Sequence, residues 1–302
     1  MTNTRKKLIS RLVVLGAALA LSACGGKNDG ADSNAAEAVA DPAAQLDAII
    51  AGDHRSDEER ARDAFRHPKE TLQFFGLAPD MKVVEVFPGG GWYTQIIAPY
   101  LKQGGGVFYA AGFASEGASE RTLNSLALYK KTYVEHPEIY GAVEMTALGA
   151  GHHIAPEGSI DMVLTFRNVH SWMGAGNEAQ SFAEFYRALK PGGVLGVVEH
   201  RADGSDAPRD GSSGYVYTDD VIALATAAGF DFDASSEINA NAKDTKNHPF
   251  GVWTLPPTKR SSQVRGQEDP SFDRAPYDAI GESDRMTLKF RKPIAADGAL
   301  LE

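Results

Sequence analysis

The sequence predicts an α/β fold built on a doubly wound parallel sheet, and three observations lead to it. Short runs of β-branched and aromatic residues alternate along the chain with stretches of helical spacing. The run V-V-E-V-F at residues 83–87 is apolar enough to fill a strand buried on both faces. Pro88-Gly89-Gly90-Gly91 ends that run and leads directly into a helical pattern. Because parallel neighbours need crossover connections, this order indicates a sheet covered by helices on both faces.

The glycine turn is also the first candidate binding site. Glycines let a backbone approach a ligand where a Cβ atom would collide, and open α/β sheets bind ligands at the carboxyl ends of their parallel strands. The free N–H groups of the following helix point back at the strand tip. Taken by themselves, the glycines fit both a ligand site and a tight turn that binds nothing.

The first residues have a pattern typical of a secretory signal peptide over residues 1–23. Basic residues precede the apolar run from Leu12 to Leu21, which is too short to span a bilayer as a lasting helix. The next residues, L-S-A-C, resemble the bacterial lipobox, whose cysteine is lipidated and becomes the first residue of the mature protein. That cysteine is Cys24 here. A plain signal peptide that happens to contain a cysteine is the alternative.

Lipidation would anchor the protein to a membrane through Cys24, because several acyl chains on one residue hold a protein stably. Gly25 follows the cysteine, which resembles the lipoproteins that Gram-negative bacteria send to the outer membrane. The expected location is therefore outside the cytoplasm, at the outer membrane and facing the periplasm. Cys24 is the only cysteine, so the fold is expected to contain no disulfide.

Composition limits the number of domains and the kinds of partner. With 302 residues, of which 43% are apolar, the chain can bury one sizeable core, and one domain with extensions is expected. The formal charge is −10, and removal of residues 1–23, which carry four positive and no negative charges, changes it to −14. An acidic mature chain argues against nucleic acid, and a small molecule is the expected substrate. The sequence does not determine the oligomeric state.

Residues 24–43 have the composition of a flexible tether, rich in Gly, Ala, Asn and Asp. Residues 44–302 are expected to form the folded domain. The domain opens with helices over 44–80, which His67-Pro68 divides because the residue before a proline avoids the helical region. These helices are expected to cover an edge of the sheet.

Helices separate the later strands. One helical stretch runs from about Ser115 to Tyr133, and another, from Ala179 to Leu189, ends at Lys190-Pro191-Gly192-Gly193. The strands after the first are predicted at Gly106–Ala111, Ala142–Ala147, Ile160–Phe166 and Val194–Val198.

Three segments together resemble the class I S-adenosylmethionine-dependent methyltransferases: V-V-E-V-F-P-G-G-G, I-D-M-V-L-T-F-R-N-V-H and F-Y-R-A-L-K-P-G-G-V-L-G-V-V-E-H. The resemblance covers about residues 57–293 and is closest to a family of exported predicted methyltransferases. It implies a Rossmann-like fold, in which a mostly parallel sheet of seven strands has an antiparallel last strand. The last two strands would be Phe230–Ile238 and Arg285–Arg291, and residues 239–284 between them would lie over the site as a lid.

The resemblance also implies S-adenosylmethionine as the cofactor and places it at the first strand. Glu85 matches the acid of that strand, and the glycine turn matches the glycine loop, although Phe87 replaces its usual first glycine. The tip of the second strand, Ala110-Ala111-Gly112-Phe113, has no carboxylate for the ribose hydroxyls. The residues expected to bind the cofactor are Glu85, Gly89, Gly90, Gly91, Trp92, Tyr93, Arg167 and Asn168.

Polar residues beyond two other strands are the candidates for catalysis. His170 follows the fourth strand, and His200 and Arg201 follow the fifth. His170 or His200 can act as a general base near neutral pH, and His170, His200 or Arg201 is expected to face the methyl acceptor. Alternatively, the charged residues pair with carboxylates and only fix the loops. No metal site is predicted, because His152 and His153 are adjacent in a loop without further ligand spacing.

Two hypotheses about function follow. In the first, a lipid-anchored methyltransferase transfers a methyl group from S-adenosylmethionine to a small molecule. In the second, a binding lipoprotein of the same fold has no catalytic activity and holds a small ligand, for which an anion is one option, with Arg167 and Arg201.

Overall fold

A computed structural model describes residues 41–149, 151–204 and 208–294. The predicted signal peptide, Cys24 and most of the predicted tether lie outside these residues. None of the helices in the described ranges is long and apolar enough to cross a membrane.

The described residues form eight strands. They are β1 (Lys82–Val86), β2 (Val107–Gly112), β3 (Val143–Ala147), β4 (Ile160–Phe166), β5 (Leu189–His200), β6 (Asp231–Ser236), β7 (Pro249–Val252) and β8 (Arg285–Arg291). Seven of them make one sheet in the order β3-β2-β1-β4-β5-β8-β6, in which β1 to β5 are parallel and β8 is antiparallel to both its neighbours. This arrangement confirms the predicted mostly parallel sheet with an antiparallel last strand.

The pair β1 and β4 forms the centre of the sheet and positions the candidate site. Val83 pairs with Met162 and Val86 pairs with Thr165, so the two strands end at the same edge. The strand order reverses here, because β2 lies on one side of β1 while β4 lies on the other. In open α/β sheets, such a reversal opens a crevice at the carboxyl ends of the strands.

Eleven α-helices connect the strands of the described chain. They are α1 (Pro42–Ile50), α2 (Asp57–Arg60), α3 (Asp63–Arg66), α4 (Pro68–Phe75), α5 (Thr94–Gly104), α6 (Glu120–Tyr129), α7 (Pro137–Tyr140), α8 (Val169–Ala175), α9 (Glu178–Ala188), α10 (Thr218–Ala227) and α11 (Ala275–Ile280). A π-helical turn over Lys130–Val134 continues α6.

Capping residues set several helix boundaries. The Asp41 side chain accepts a hydrogen bond from the N–H of Ala43, so α1 begins at Pro42. The Ser119 side chain accepts from the N–H of Thr122, and α6 therefore begins at Glu120 rather than at the predicted Ser115. His67, with a φ of 39°, separates α3 from α4, which confirms the predicted break at His67-Pro68.

Strand β5 is longer than predicted. Helix α9 ends at Ala188, and the strand begins at once, so Lys190-Pro191-Gly192-Gly193 belongs to β5 instead of preceding it. The register against β4 shifts within this part of the strand. Pro191 has no N–H to donate, and Gly192 has a φ of 80°, so this segment forms an irregular strand start before the regular pairing begins at Val194.

Each face of the sheet buries its own apolar layer. Consecutive strand residues point to opposite faces, so Val83 joins one layer and Val84 joins the other. Helices α4 and α5 cover the first face with residues such as Phe75 and Ile96, and α8, α9 and α10 cover the second. The continuous apolar run of β1 therefore results from burial on both sides.

We expect Gly196→Ala to destabilise the fold by about 1–3 kcal/mol. Gly196 lies in β5 under the end of α4, and an added Cβ atom would lie 2.6 Å from Leu164 Cδ2 and 2.9 Å from Phe75 Cδ1. Urea unfolding of the full chain would measure the change. Gly174→Ala in α8 is the matched control, because its nearest neighbouring atom is Asp210 O at 3.8 Å. Equal unfolding midpoints for the two variants would contradict this packing.

Candidate functional site

A cavity of about 430 Å³ lies at the carboxyl edge of the sheet, beside the tips of β1 and β4. This volume is within the range of about 300–1,000 Å³ that is usual for small-molecule sites. Side chains from α2 and α3, the turn after β1, the ends of β4 and β5, the start of β8 and the segment after β7 line it. Of the eleven predicted site residues, nine line this cavity: Glu85, Gly89, Gly90, Trp92, Tyr93, Arg167, Asn168, His170 and His200.

The turn after β1 leaves room for a ligand at two of its three glycines. Phe87 and Gly89 have φ angles of 46° and 60°, which turn the chain just beyond the strand. A Cβ atom built on Gly89 or Gly90 would have no neighbouring atom within 4 Å. A Cβ atom on Gly91 would instead lie 2.4 Å from the Tyr133 ring. Gly91 is therefore required for packing. Contrary to the prediction that it binds the cofactor, it does not line the cavity.

Glu85 lies in β1 and is buried, with 2% of its surface exposed. Thr94 Oγ1 donates a hydrogen bond of 2.8 Å to its Oε2, and Thr94 in turn accepts the hydroxyl proton of Tyr129, since its own single proton is already used. Burial raises the pKa of Glu85 to about 8, against the lowering effect of Thr94 and of the nearby Arg167 and Arg66. At neutral pH the side chain is therefore mostly a neutral carboxylic acid.

Trp92 and Tyr93 form an aromatic wall that is already fixed by packing. The Tyr93 ring stacks on Phe166, with centroids 3.5 Å apart. The Arg66 guanidinium lies 4.6 Å from the centroid of Trp92, and Trp92 Nε1 donates to the main-chain oxygen of Glu59 at 3.1 Å. Both rings border the cavity in one defined position.

Asn168 and Arg167 follow β4 and have different surroundings. Asn168 Nδ2 donates to the main-chain oxygen of Val86 at 3.0 Å and to Thr165 Oγ1 at 3.1 Å, so it ties the tip of β4 to that of β1. Arg167 has a φ of 65°, and its main-chain N–H donates to the oxygen of Val198. Its guanidinium makes no hydrogen bond or ion pair with the described residues and borders the cavity.

His170 and His200 lie side by side, with ring centroids 5.6 Å apart. His170 Nδ1 is 3.1 Å from Oε1 of the buried Glu199, whose other oxygen accepts the N–H of Val169 at 2.6 Å. His200 Nδ1 is 2.5 Å from Ser283 Oγ. Burial, and then the positive charges of neighbouring groups, hold the pKa of His200 well below its usual value, so His200 is neutral at physiological pH.

The same histidines and Glu199 offer ligand atoms that lie within 4.8 Å of one another, which makes them the candidate metal group of the described residues. This group was not predicted from the sequence, in which only the adjacent His152 and His153 stood out as possible metal ligands. Glu199, however, accepts main-chain N–H groups at both oxygens, from Val169 and from His200. A carboxylate engaged in this way is suited to orient His170 rather than to hold an ion.

Arg201 does not line the cavity, contrary to expectation. Its guanidinium donates to Asp284 at 2.9 and 3.0 Å and to Glu237 at 2.7 Å, and these bonds raise its pKa. His200 and Arg201 are consecutive at the end of β5, where neighbouring side chains point in opposite directions. Only one of the two can therefore face the cavity, and it is His200.

Three further arginines line the cavity that were not predicted from the sequence. Arg62 precedes α3 as its N-cap, Arg66 is the last residue of α3, and Arg285 is the first residue of β8. All three donate to Glu282, which is buried. A signal existed for Arg285, because the first residue of an antiparallel strand lies at the carboxyl edge of its parallel neighbours. Arg62 and Arg66 gave none beyond their helical spacing.

The last residue of β7 and the residues after it form the roof of the cavity. The Trp253 ring lies 5.9 Å from that of His170. Asp244 holds this segment in place, since Asp244 Oδ1 accepts a hydrogen bond of 3.0 Å from the Tyr215 hydroxyl and lies 2.8 Å from His248 Nε2. The roof residues that line the cavity are Val252, Trp253, Pro256, Pro257 and Thr258.

The tip of β2 has no acidic side chain at the cavity. Phe113 stacks there on Phe87, with centroids 4.4 Å apart, and remains 58% exposed. Glu116, the next acid along the chain, lies 3.6 Å from His152 Nε2 and does not line the cavity.

Comparison with solved structures shows a Rossmann-like methyltransferase fold. SpnF, a [4+2]-cyclase, has a TM-score of 0.53 at 15% identity, over 83% of this chain and 93% of its own. Geranyl diphosphate C-methyltransferase from Streptomyces coelicolor A3(2), solved with Mg²⁺, geranyl diphosphate and S-adenosyl-L-homocysteine, has a TM-score of 0.50 at 11% identity, over 81% and 87%. No protein-family model and no curated protein matches the sequence.

We expect Glu85→Gln to flatten the dependence of stability on pH. Between the unfolded pKa of 4.5 and the folded value of about 8, the folded chain keeps a proton that the unfolded chain releases, so wild-type stability falls as pH rises through this window. Glutamine mimics the neutral acid, and at pH 9 the variant should be more stable than wild type by roughly 1–3 kcal/mol.

Urea unfolding from pH 5 to pH 9 would measure this difference. Glu116→Gln, at a side chain that is 73% exposed, is the control and should keep the wild-type slope. Parallel pH profiles for wild type and Glu85→Gln would show that Glu85 ionises normally in the fold.

Proposed function

We propose that this protein is an S-adenosylmethionine-dependent methyltransferase that acts on a small-molecule acceptor. The observation that carries the proposal is the cavity at the tips of β1 and β4, which the open glycine turn borders on one side and two histidines on another. The methyltransferase fold supports it. The fold alone does not select the reaction, because one neighbour is a cyclase and another is a C-methyltransferase.

The residues at the tip of β1 fit the cofactor. An added Cβ atom on Gly89 or Gly90 would meet no atom within 4 Å, so the backbone there can contact a ligand directly. These glycines, with Glu85, would hold the amino-acid half, and Phe113 offers an exposed aromatic face at the tip of β2 for the base. When bound, S-adenosylmethionine supplies an activated methyl group on a sulfonium.

The chain itself would contribute positioning and proton transfer. Methyl transfer depends mainly on alignment of the two reactants, which the packed aromatic wall of the cavity favours. His170 is the better candidate for the general base, since Glu199 holds its Nδ1 and leaves Nε2 to take a proton from the acceptor. His200, with its lowered pKa, is a weak base and would act as a neutral hydrogen-bonding group.

We further propose that the protein is exported and anchored in the outer membrane through lipidated Cys24. The basic, apolar and small-residue pattern over residues 1–24 supports this proposal. In that location, the methyl acceptor would be met outside the cytoplasm.

Calorimetry of the full chain with S-adenosylhomocysteine tests the proposed enzyme. We expect micromolar binding with one site, and loss of that binding in Gly90→Trp, because the indole would fill the space in which the ligand approaches the turn. Ser235→Trp, on the exposed surface of the edge strand β6, is the control and should bind as wild type does. Absence of heat in the wild-type protein at millimolar ligand would leave only a binding protein of the same fold.

Fractionation of Gram-negative cells tests the anchor. The full-length protein should sediment with the outer membrane and incorporate labelled palmitate, and Cys24→Ser should lose both properties because the acylated thiol is absent. A wild-type protein that remains in the periplasmic extract would support the plain signal peptide instead.

A further inference from the structure

Four arginines surround the cavity and carry donors that the described residues do not satisfy. Arg66 and Arg285 are both 2% exposed, yet Nη1 and Nη2 of Arg66 and Nε of Arg285 have no acceptor. Nη2 of Arg62 has none either, and the whole guanidinium of Arg167 makes no hydrogen bond or ion pair among these residues. A buried donor without a partner costs free energy, so such a group points to a missing acceptor.

The charges of these arginines are only partly balanced. Glu282 is the carboxylate that pairs with Arg62, Arg66 and Arg285, and they hold its pKa near 2, so it remains ionised. Glu59 lines the same cavity as a second anion, whereas Glu85, with a pKa of about 8, is largely neutral. Three guanidinium groups thus share Glu282, and Arg167 has no ion pair with the described residues, so positive charge is in excess among the four arginines.

The arginines repel one another, and this repulsion adds to the effect of burial on the pKa values of Arg167 and Arg66. Burial, and then the positive charge of Arg285, lower the pKa of Arg167 to about 10. Burial and then Arg167 also lower the pKa of Arg66. The folded protein therefore maintains an arrangement of like charges that a bound anion would relieve.

A purely structural role does not account for this cluster. Pairing with Glu282 explains a bond from each of Arg62, Arg66 and Arg285. Arg285 Nη1 also donates to the main-chain oxygen of Phe65 at 3.0 Å. These bonds still leave Arg167 and the buried donors named above without acceptors among the described residues. Arg201, by comparison, has each of its guanidinium nitrogens bonded to a carboxylate. The cavity arginines thus differ from the structural arginine of the same site region.

We infer that Arg62, Arg66, Arg167 and Arg285 form a binding site for a doubly negative oxyanion group, either a phosphate or a dicarboxylate. On the proposed function, this group belongs to the methyl acceptor, and the inference about the acceptor rests on that function. Guanidinium groups suit such a ligand because their planar forks donate two parallel hydrogen bonds to an oxyanion. The excess of positive charge among the four arginines favours a ligand with two negative charges over one with a single charge.

Calorimetry of the full chain at pH 7.5 with inorganic phosphate and with succinate tests the site. The ligand that binds more tightly shows whether the site prefers a phosphate or a dicarboxylate. We expect one of them to bind at least tenfold more tightly than acetate, which carries a single charge and serves as the control. Its affinity should fall as salt is added. Arg167→Gln should weaken that binding at least tenfold, because this guanidinium has no structural partner to lose. Arg291→Gln, at the exposed far end of β8 and paired with Asp233, should bind as wild type does.

A second measurement on the wild-type protein separates the acceptor site from the cofactor. The dianion should bind equally well when S-adenosylhomocysteine is saturating. Competition between the two would assign the arginines to the cofactor carboxylate and overturn the inference. It would also be overturned if neither phosphate nor succinate gave heat at roughly 5 mM, or if Arg167→Gln and Arg291→Gln bound them equally. If S-adenosylhomocysteine alone fails to bind, the proposed enzyme is rejected while the phosphate and succinate titrations still decide the anion site.

Discussion

The buried ion network around Glu282 is the interaction on which the candidate site depends. This carboxylate, 2% exposed, accepts hydrogen bonds from Arg62, Arg66 and Arg285. Residues that are 220 positions apart in the chain, Arg62 and Glu282, thereby meet at one cavity. Desolvation of a buried ion costs several kcal/mol, and removal of the single carboxylate would leave its arginines uncompensated. The helices before β1 and the start of β8 are thus held together by the same charges that line the site.

The positive charge of the cavity affects both the proposed cofactor and the proposed anionic ligand. A sulfonium is cationic, and an excess of positive charge near it would oppose its binding. A dianion bound among the arginines would offset this positive charge and reduce that repulsion. Glu85 adds little negative charge at neutral pH because its pKa is about 8, so the ligand rather than the protein would supply the balance.

The fold explains where the cavity lies, whereas the side chains that line the cavity determine what it can bind. The sheet order, with its reversal between β1 and β4, explains why a crevice exists at that edge. It does not explain what the crevice does, since structures of this fold include a cyclase as well as a methyltransferase. The choice of ligand and reaction depends on side chains such as Arg167 and His170, which the loops after β4 bring to the cavity.

The sequence by itself determined the sheet and the region of the site. Apolar runs such as 83–87 and 160–166 specify buried parallel strands, because only burial on both faces suits them, and the glycines after β1 mark the strand tip where a ligand can approach. Nine of the eleven residues chosen from strand ends line the cavity for the same reason.

Only the tertiary structure decided which polar residues face that cavity and which charges they meet. Arg201 points away from the cavity while its neighbour His200 lines it, and Gly91 packs on Tyr133 while Gly89 and Gly90 line the cavity. The sequence alone does not distinguish these neighbouring positions. Arg62 and Arg66 come from the helical segment before β1, which was expected to cover an edge of the sheet and for which no site residue was predicted. Their contribution depends on contacts with Glu282, more than two hundred residues away, and local periodicity contains no information about a contact of that separation.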